Sequence, residues 1–410
     1  MARIAPPDPD AHPRAAAVDR MLAWARERGA RFDQLDLRVA ADGSCAAYAR
    51  DRIAAGERLV TIPRRLMILH DELAASATGV VEPYGPRLQI ASDRLVVWLV
   101  LEARRADSPW RPYLDALPPT PDLPCVRDDL DLGELAGTLA ASTLAGERAH
   151  VTSFHALLAP AVRAQIALAD FARGRALVRS RGYKVTIGGA VQAALIPVVD
   201  LLDHRPGDTR WGFEPDEDAY AITALRELAA GEPVHAWYGP HGNASLLAGY
   251  GFALADNPDD EAGLILGGET FPVGTRADDR FWRALAAARG GRRSFKAAAE
   301  PDALAALADA ARAGRARLGA HPSDDDGWLA DPARTPWQRA CGWVRRGERA
   351  ILDHVVAFAA AADRDVAGAT PARLRAAAGA IAAGAIGADR LRREYLRAAA
   401  DALDADDGGS

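Results

Sequence analysis

Residues 15–30, AAAVDRMLAWARERGA, place Val18, Leu22 and Ala25 at helical spacing and stop at Gly29. That pattern predicts an amphipathic helix closed by a glycine cap, an N-terminal element within residues 1–30. The period then changes. LDLRVAADGSCAAYARDRIAAGERLVTIP carries the hairpin dipeptide Asp42-Gly43, and Leu59 to Ile62 reads as a strand after the Gly56 turn. From Asp71 to about Tyr183 the pattern is mostly helical, and RLVVWLVLEARR is dense and long enough for a buried helix. Strand patterns return between Lys184 and Tyr238 in KVTIG, AALIPVVDLL and AITALRELAAGEPVHAWY, around the acidic loop EPDEDAY. Ala-Ala-Gly-Glu occurs at 54–57 and again at 229–232, each time before a strand, as a repeated turn device too short for a domain repeat. Beyond Asp256 the segments DRFWRALAAARG, DALAALADAARAGRARL and ERAILDHVVAFAAAA predict an all-helical region to residue 403. HPSDDDGWLADPARTPW reads as a loop-like linker, and DADDGGS, residues 404–410, as a disordered tail.

Composition narrows the classes. The chain has 410 residues and a net charge of −6, which gives no general nucleic-acid footprint. Its three cysteines, Cys45, Cys125 and Cys341, form no CxxC, so neither a zinc ribbon nor a disulfide framework is supported. So sparse a set suits a reducing cytoplasm. The N-terminus has no apolar signal region, and the longest apolar stretch is interrupted by Pro197, so neither secretion nor a membrane span is expected.

Candidate chemistry concentrates in two stretches. In VHAWYGPHGNASLLAGYGF, Val234, Ala236 and Tyr238 share one strand face, and His235 and Trp237 the other. Gly239-Pro240 ends the strand. Asn243 is the expected N-cap of a short helix that puts Leu246, Leu247 and Tyr250 on one face and ends at Gly251. The two tyrosines can converge on one site, although spacing alone favours core aromatics. In PVVDLLDHRPGD, Asp200, Asp203 and His204 end an apolar run, either facing solvent or lining a polar site under the core. No third and fourth ligand accompanies them, so a metal is not expected. His241 reads as a solvated loop histidine, and Asp216–Asp218 as a solvated turn.

Five motifs in order carry a resemblance. DRIAAGERLVTIPRRLMI, WRPYLDALP, SRGY, DLLDH and GEPVHAWYGPHGNASLLAGYGF resemble those of SET-domain methyltransferases, in the branch similar to the Rubisco large-subunit lysine methyltransferase. The resemblance covers roughly residues 20–255. It implies an α+β fold: a SET β-core with a pseudoknot over 31–255, interrupted by a helical insert at about 71–183. An all-α substrate- or partner-binding domain would follow over 256–403. It implies methyl transfer from S-adenosylmethionine to a lysine of a protein or peptide, without metal, nucleic acid or membrane. Gly43, Ser44, Cys45, Ala46, Arg181, Asp200, Asp203 and His204 fall on cofactor positions, and Tyr238 on the active-site tyrosine. Tyr183, Tyr250 and Phe252 fall on the substrate channel. The aromatic at 183 matches lysine-directed members, where a histidine-directed relative has a polar amide. Two departures stand out. Ser44-Cys45-Ala46 replaces a Gly-x-Gly loop, in which positive φ would be costly for Ser or Ala. Asp203 replaces an Asn. A catalytically silent SET fold that binds protein, and a SET-fold enzyme acting on a small molecule, are the alternatives.

Overall fold

The computed structural model describes residues 12–73, 84, 90–119, 123–296, 299–366 and 369–407. The readings made on residues 1–11, on part of the loop after Leu117 and on the last three residues lie outside them. The chain divides into two compact units, Met1–Val126 with Arg148–Gly239, and Arg127–Glu147 with Pro240–Ser410. This division places the 243–250 helix in the second unit, whereas the resemblance groups it with residues 31–255.

The first unit opens with α1 (Arg14–Glu27), which buries Val18, Met21, Leu22 and Ala25 and is followed by Gly29 at φ +86°. Four strands follow: β1 (Leu35–Val39), β2 (Cys45–Ala49), β3 (Arg58–Pro63) and β4 (Ile68–Leu69). The inserted helices are α2 (Ala91–Glu102), α3 (Arg111–Ala116), α4 (Leu139–Leu157, which begins in the second unit and enters the first at Arg148), α5 (Pro160–Arg163) and α6 (Leu168–Arg181). Strands β5 (Gly182–Ile187), β6 (Ala190–Leu195), β7 (Thr209–Glu214), β8 (Ala219–Ala224) and β9 (Pro233–Val234) complete the unit. The strands form three small antiparallel sheets, ordered β1-β2-β9, β3-β8-β7 and β4-β6-β5.

The repeated tetrapeptide proves to be one turn built twice. Ala54 N–H donates to Glu57 Oε2 at 3.0 Å, and Ala229 N–H to Glu232 Oε2 at 2.9 Å. Gly56 and Gly231 take φ +88° and +78°, values open to glycine at little cost. The residues just before the turns, Ile53 and Leu228, exchange two backbone bonds of 2.9 Å. Two identical local devices thus lie side by side and fix the entry to β3 and β9.

The second unit holds α7 (Asn243–Tyr250), β10 (Ala262–Leu266), β11 (Glu269–Val273) and α8 (Asp279–Ala288). It continues with α9 (Glu300–Leu318), α10 (Asp326–Ala330), α11 (Pro336–Val366), α12 (Pro371–Ala380) and α13 (Gly387–Asp407). The region after 256 is therefore not all-helical. Gly267 and Gly268, both at positive φ, turn β10 into β11, and a two-residue glycine turn matches the twist of paired strands. The linker contains α10, whose start is capped by the Asp325 side chain. The tail is helical as far as Asp407, and Asp401 and Asp404 both pair with Arg375 of α12.

Asn243 is not the cap of α7 but its first helical residue, and only 1% exposed. Asp260 supplies the cap from outside the helix, accepting from Asn243 N–H at 2.8 Å. This leaves the Asn243 side chain to exchange bonds with Leu254. Glu348 of α11 does the same for α4, accepting from Leu139 N–H at 2.8 Å and Ala140 N–H at 3.3 Å. Burial raises the Glu348 carboxyl to about 8 and Asp260 to about 6, and backbone donors only partly oppose it. Both groups bind a proton more tightly folded than unfolded. Their stabilising contribution is therefore full below about pH 4.5 and is lost as pH rises through the folded values. Unfolding free energy should fall by a few kcal/mol between about pH 5 and 8. Glu348→Gln should flatten that decline in denaturant titrations, and an unchanged slope would contradict it.

Candidate functional site

The β1–β2 turn shows how the chain manages without the Gly-x-Gly loop. Gly43 takes the positive φ, +83°, and Ser44, Cys45 and Ala46 are not among the residues with positive φ. Asp42 Oδ1 accepts from Ser44 N–H at 2.9 Å and Ser44 Oγ at 2.7 Å, so a side chain closes the turn. The strain expected of Ser44 and Ala46 is absent, because the turn sits one residue earlier. Alternation along β2 buries Cys45 and turns Ala46 to the opposite face, while Ser44 is exposed. Of these four residues, Gly43, through its carbonyl, and Cys45 reach the polar cluster under the sheet.

That cluster centres on Asp200, whose side chain is 1% exposed. It lies in a 3-10 turn (Val199–Leu201) that follows Val198 at φ +76°. Positive φ at a β-branched residue is strained, and here it aims the buried carboxyl inward. Tyr113 of α3 donates its hydroxyl to Asp200 Oδ2 at 3.0 Å. Arg181, the last residue of α6, donates to the Asp200 carbonyl at 2.6 Å and lies 3.7 Å from Oδ2. Arg14, the first residue of α1, donates to the Gly43 carbonyl at 2.6 Å and the Ala116 carbonyl at 2.7 Å. Burial raises the Asp200 pKa, against the pull of Arg181, Tyr113 and Arg14. It also lowers that of Arg14 and raises that of the Cys45 thiol.

Three polar atoms in this cluster are buried without a partner: Arg14 Nη2, Arg181 Nε and Asp200 Oδ1. Two cationic donors and one carboxyl acceptor, each with an unmet bond, match a group that carries both a carboxylate and an ammonium. The α-amino-acid end of S-adenosylmethionine is such a group, so the residues present fit it.

Asp203 and His204 follow on the loop. Protein around the Asp203 carboxyl raises its pKa although the residue reaches solvent; His235 and Arg181 oppose the rise. His204 pairs with Ala236 as an isolated parallel bridge, and its Nδ1 accepts from Tyr238 N–H at 3.0 Å. The Tyr238 hydroxyl donates to the Leu202 carbonyl at 2.6 Å, and its ring centre lies 4.9 Å from that of His204. The expected strand to Tyr238 shortens to β9 plus this bridge. Tyr183 on β5 is buried, with its ring 6.0 Å from Trp211 and 5.9 Å from Tyr220. Arg181, Tyr183, Asp200, Asp203, His204 and Tyr238 thus lie in one unit with Cys45. Tyr250 and Phe252 lie in the other. There the Tyr250 ring is 6.3 Å from Phe252 and 5.8 Å from His241, so His241 is half-buried and packed on one side by Tyr250.

Sequence reasoning passed over Arg14, Tyr113 and Trp211. Tyr113 stands inside a quoted motif. Trp211 stacks on Tyr220, meets Tyr183 edge-on and donates its indole N–H to the Trp237 carbonyl. Arg14 had one available signal, a charged residue at the start of an apolar helix face. Among the described residues no three His, Cys, Asp or Glu side chains gather as a metal-binding set, and no helix is long and apolar enough to cross a membrane.

The fold is that of a SET domain. The chain superposes on the SET domain of LSMT bound to lysine and AdoHcy with a TM-score of 0.67 and 18% identity, over 86% of this chain and 93% of that one. It superposes on Rubisco LSMT bound to AdoMet with a TM-score of 0.65 and 19% identity, over 86% and 93%. In sequence it is similar to the actin-histidine N-methyltransferases of Danio rerio, 25% identical, and Homo sapiens, 23% identical. Each match covers 60% of this chain, and the chain spans 44% of the length of these relatives. No protein-family profile matches the chain.

Removing one partner of Asp200 tests the cluster. Tyr113→Phe leaves a fully buried carboxyl without its hydroxyl donor and should lower unfolding free energy by about 1–3 kcal/mol. Urea denaturation measures this, and an unchanged midpoint would mean that the bond contributes nothing.

Proposed function

We propose that the chain transfers a methyl group from S-adenosylmethionine to the side-chain amine of a protein lysine. The observation that carries the reading is the buried Arg14–Asp200–Arg181 cluster with its three unmet polar atoms, in the same unit as Tyr238. In this reading Arg14 and Arg181 hold the cofactor carboxylate, and Asp200 and Asp203 face its ammonium. Cys45 and the Gly43 turn form the adjoining wall, and His204 fixes the backbone of Tyr238. The sulfonium supplies an electrophilic methyl group. The protein has to present a neutral amine, which at pH 7 is roughly one lysine in a few thousand. The aromatic surroundings of Tyr183 disfavour the ammonium, and confinement aligns the nitrogen with the methyl carbon. The bound cofactor would give up that methyl to the amine and keep its sulfur as a thioether. The Tyr238 hydroxyl donates to the Leu202 carbonyl, which fixes its position, and in this reading its oxygen would take weak C–H contacts from the polarised methyl. Tyr250 and Phe252 are assigned to the substrate channel.

A histidine target is the second reading, favoured by the similarity to actin-histidine N-methyltransferases. The aromatic Tyr183, in place of an amide that would bond an imidazole, favours lysine.

Calorimetric titration with S-adenosylmethionine should give one site, unchanged by chelator. No heat and no thermal shift at millimolar cofactor would favour a silent, protein-binding SET fold. Tyr238→Phe should keep cofactor affinity and lose most turnover on an identified substrate, and full turnover would remove its assigned role. Asp203→Asn should bind the cofactor equally or up to about a hundredfold more weakly, since a bond to a charged group contributes about 1.5–3 kcal/mol. A large gain in affinity, increased further by Ser44→Gly and Ala46→Gly, would indicate a decayed pocket.

A further inference from the structure

The loop from Asp203 to Thr209 is tied to the chain segment that delivers Tyr238. Ala236 N–H donates to the Asp203 carbonyl at 2.8 Å, and Arg205 N–H to the Ala236 carbonyl at 3.1 Å. Thr209 Oγ1 donates to the His235 carbonyl at 2.9 Å. A side-chain pair closes the set: His235 Nδ1 lies 2.9 Å from Asp208 Oδ2. Asp208 is 3% exposed. Its other oxygen accepts from Arg226 Nε at 2.8 Å, and Arg226 reaches Glu232 of the second Ala-Ala-Gly-Glu turn at 2.7 Å. Burial alone would raise the Asp208 carboxyl, but the bonds from Arg226 and His235 outweigh it and hold the group below its ordinary value. An ionised Asp208 carries no proton to give, so His235 Nδ1 is the donor. His235 also interacts electrostatically with Asp203. His235 stands inside the last of the five quoted motifs, Asp208 and Arg226 outside all of them, and the resemblance assigns none of these three to the cofactor.

We propose that His235 and Asp208 form a positioning clamp, which sets the register between the Asp203–His204 loop and the Tyr238 segment and so shapes a cofactor site that the pair does not touch. The clamp acts in two ways. It fixes the loop backbone through His235, Ala236 and Thr209, and it anchors an imidazole beside Asp203 on a carboxylate that cannot move. Asp203 and His204 then face the cofactor from a braced loop. The inference rests on the cofactor reading of the Asp200 cluster.

The test titrates S-adenosylhomocysteine into wild type, His235→Phe, His235→Asn, Asp208→Asn and the His235→Phe/Asp208→Asn double variant, with thermal unfolding of each. His235→Phe keeps a ring and loses the donor, whereas His235→Asn keeps a donor close to the Nδ1 position. His235→Phe and Asp208→Asn should each weaken binding about tenfold, the scale of a bond to a charged group. The double variant should be no weaker than the worse single, because both remove one interaction. His235→Asn should stay within about threefold of wild type. The clamp is overturned if His235→Phe binds as wild type does, if the two losses multiply in the double variant, or if His235→Asn is as weak as His235→Phe. If His235→Phe does not fold, Asp208→Asn and His235→Asn supply the same comparison. Absence of binding by wild type would overturn the cofactor reading and the clamp's role with it, whereas binding by wild type with any of those three outcomes overturns the clamp alone.

Discussion

One carboxyl, Asp200, is buried under the β1–β2 sheet between two guanidiniums, and the first unit is built to keep it there. Taking charged groups out of water is expensive unless each finds partners. The partners come from three distant places: the first residue of α1, the middle of α3 and the last residue of α6. Each depends on packing elsewhere. Arg14 is aimed by α1, whose Trp24 meets Trp110 edge-on at 5.7 Å at the start of α3, where Tyr113 sits. The backbone contributes as well, since Val198 stays at positive φ only because buried neighbours hold it. Three partners still leave three polar atoms unmet, and such atoms are rare in a closed core. A polar ligand carrying both charges would meet them, and this links the energetics of the unit to its proposed chemistry.

The second unit shows the same economy at helix ends. Helix α7 begins without a side-chain cap of its own and α4 with only Thr138, which accepts from Ala141 N–H, so acids from elsewhere in the chain, Asp260 and Glu348, receive their first N–H groups. The acids are dry enough to hold protons unusually tightly, so order at the start of α7 is coupled to pH through Asp260 and order at the start of α4 through Glu348.

Much of this was legible before any coordinates. Helical spacing located α1 and α2, the Asp42-Gly43 pair located the first hairpin, and five short motifs in order pointed to the SET fold. Those signals are local. A turn needs particular residues at particular φ, and an amphipathic helix needs its period, so both are written within a few residues of where they act. Local reading failed where context supplied the missing part. The β10–β11 hairpin lies among alanine-rich helices, and its Gly267-Gly268 turn was outweighed by its surroundings. Asn243 looked like a cap because caps favour Asn, but Asp260, far along the chain, took that place.

By itself, then, the sequence determined the elements, their order and the residue types available for chemistry. Tertiary structure decided which of those residues meet. Ser44 and Ala46, expected to be strained, are relieved because Gly43 takes the turn. Arg14, with no motif around it, enters the cluster because α1 packs beside α3. Asp208 and His235 become a pair because the 203–209 loop is bonded to the 235–236 segment through Asp203, Arg205 and Thr209. Propensity is set by neighbours in the chain, whereas the partner of a buried charge is set by desolvation, which acts through space and leaves no periodic mark in the sequence.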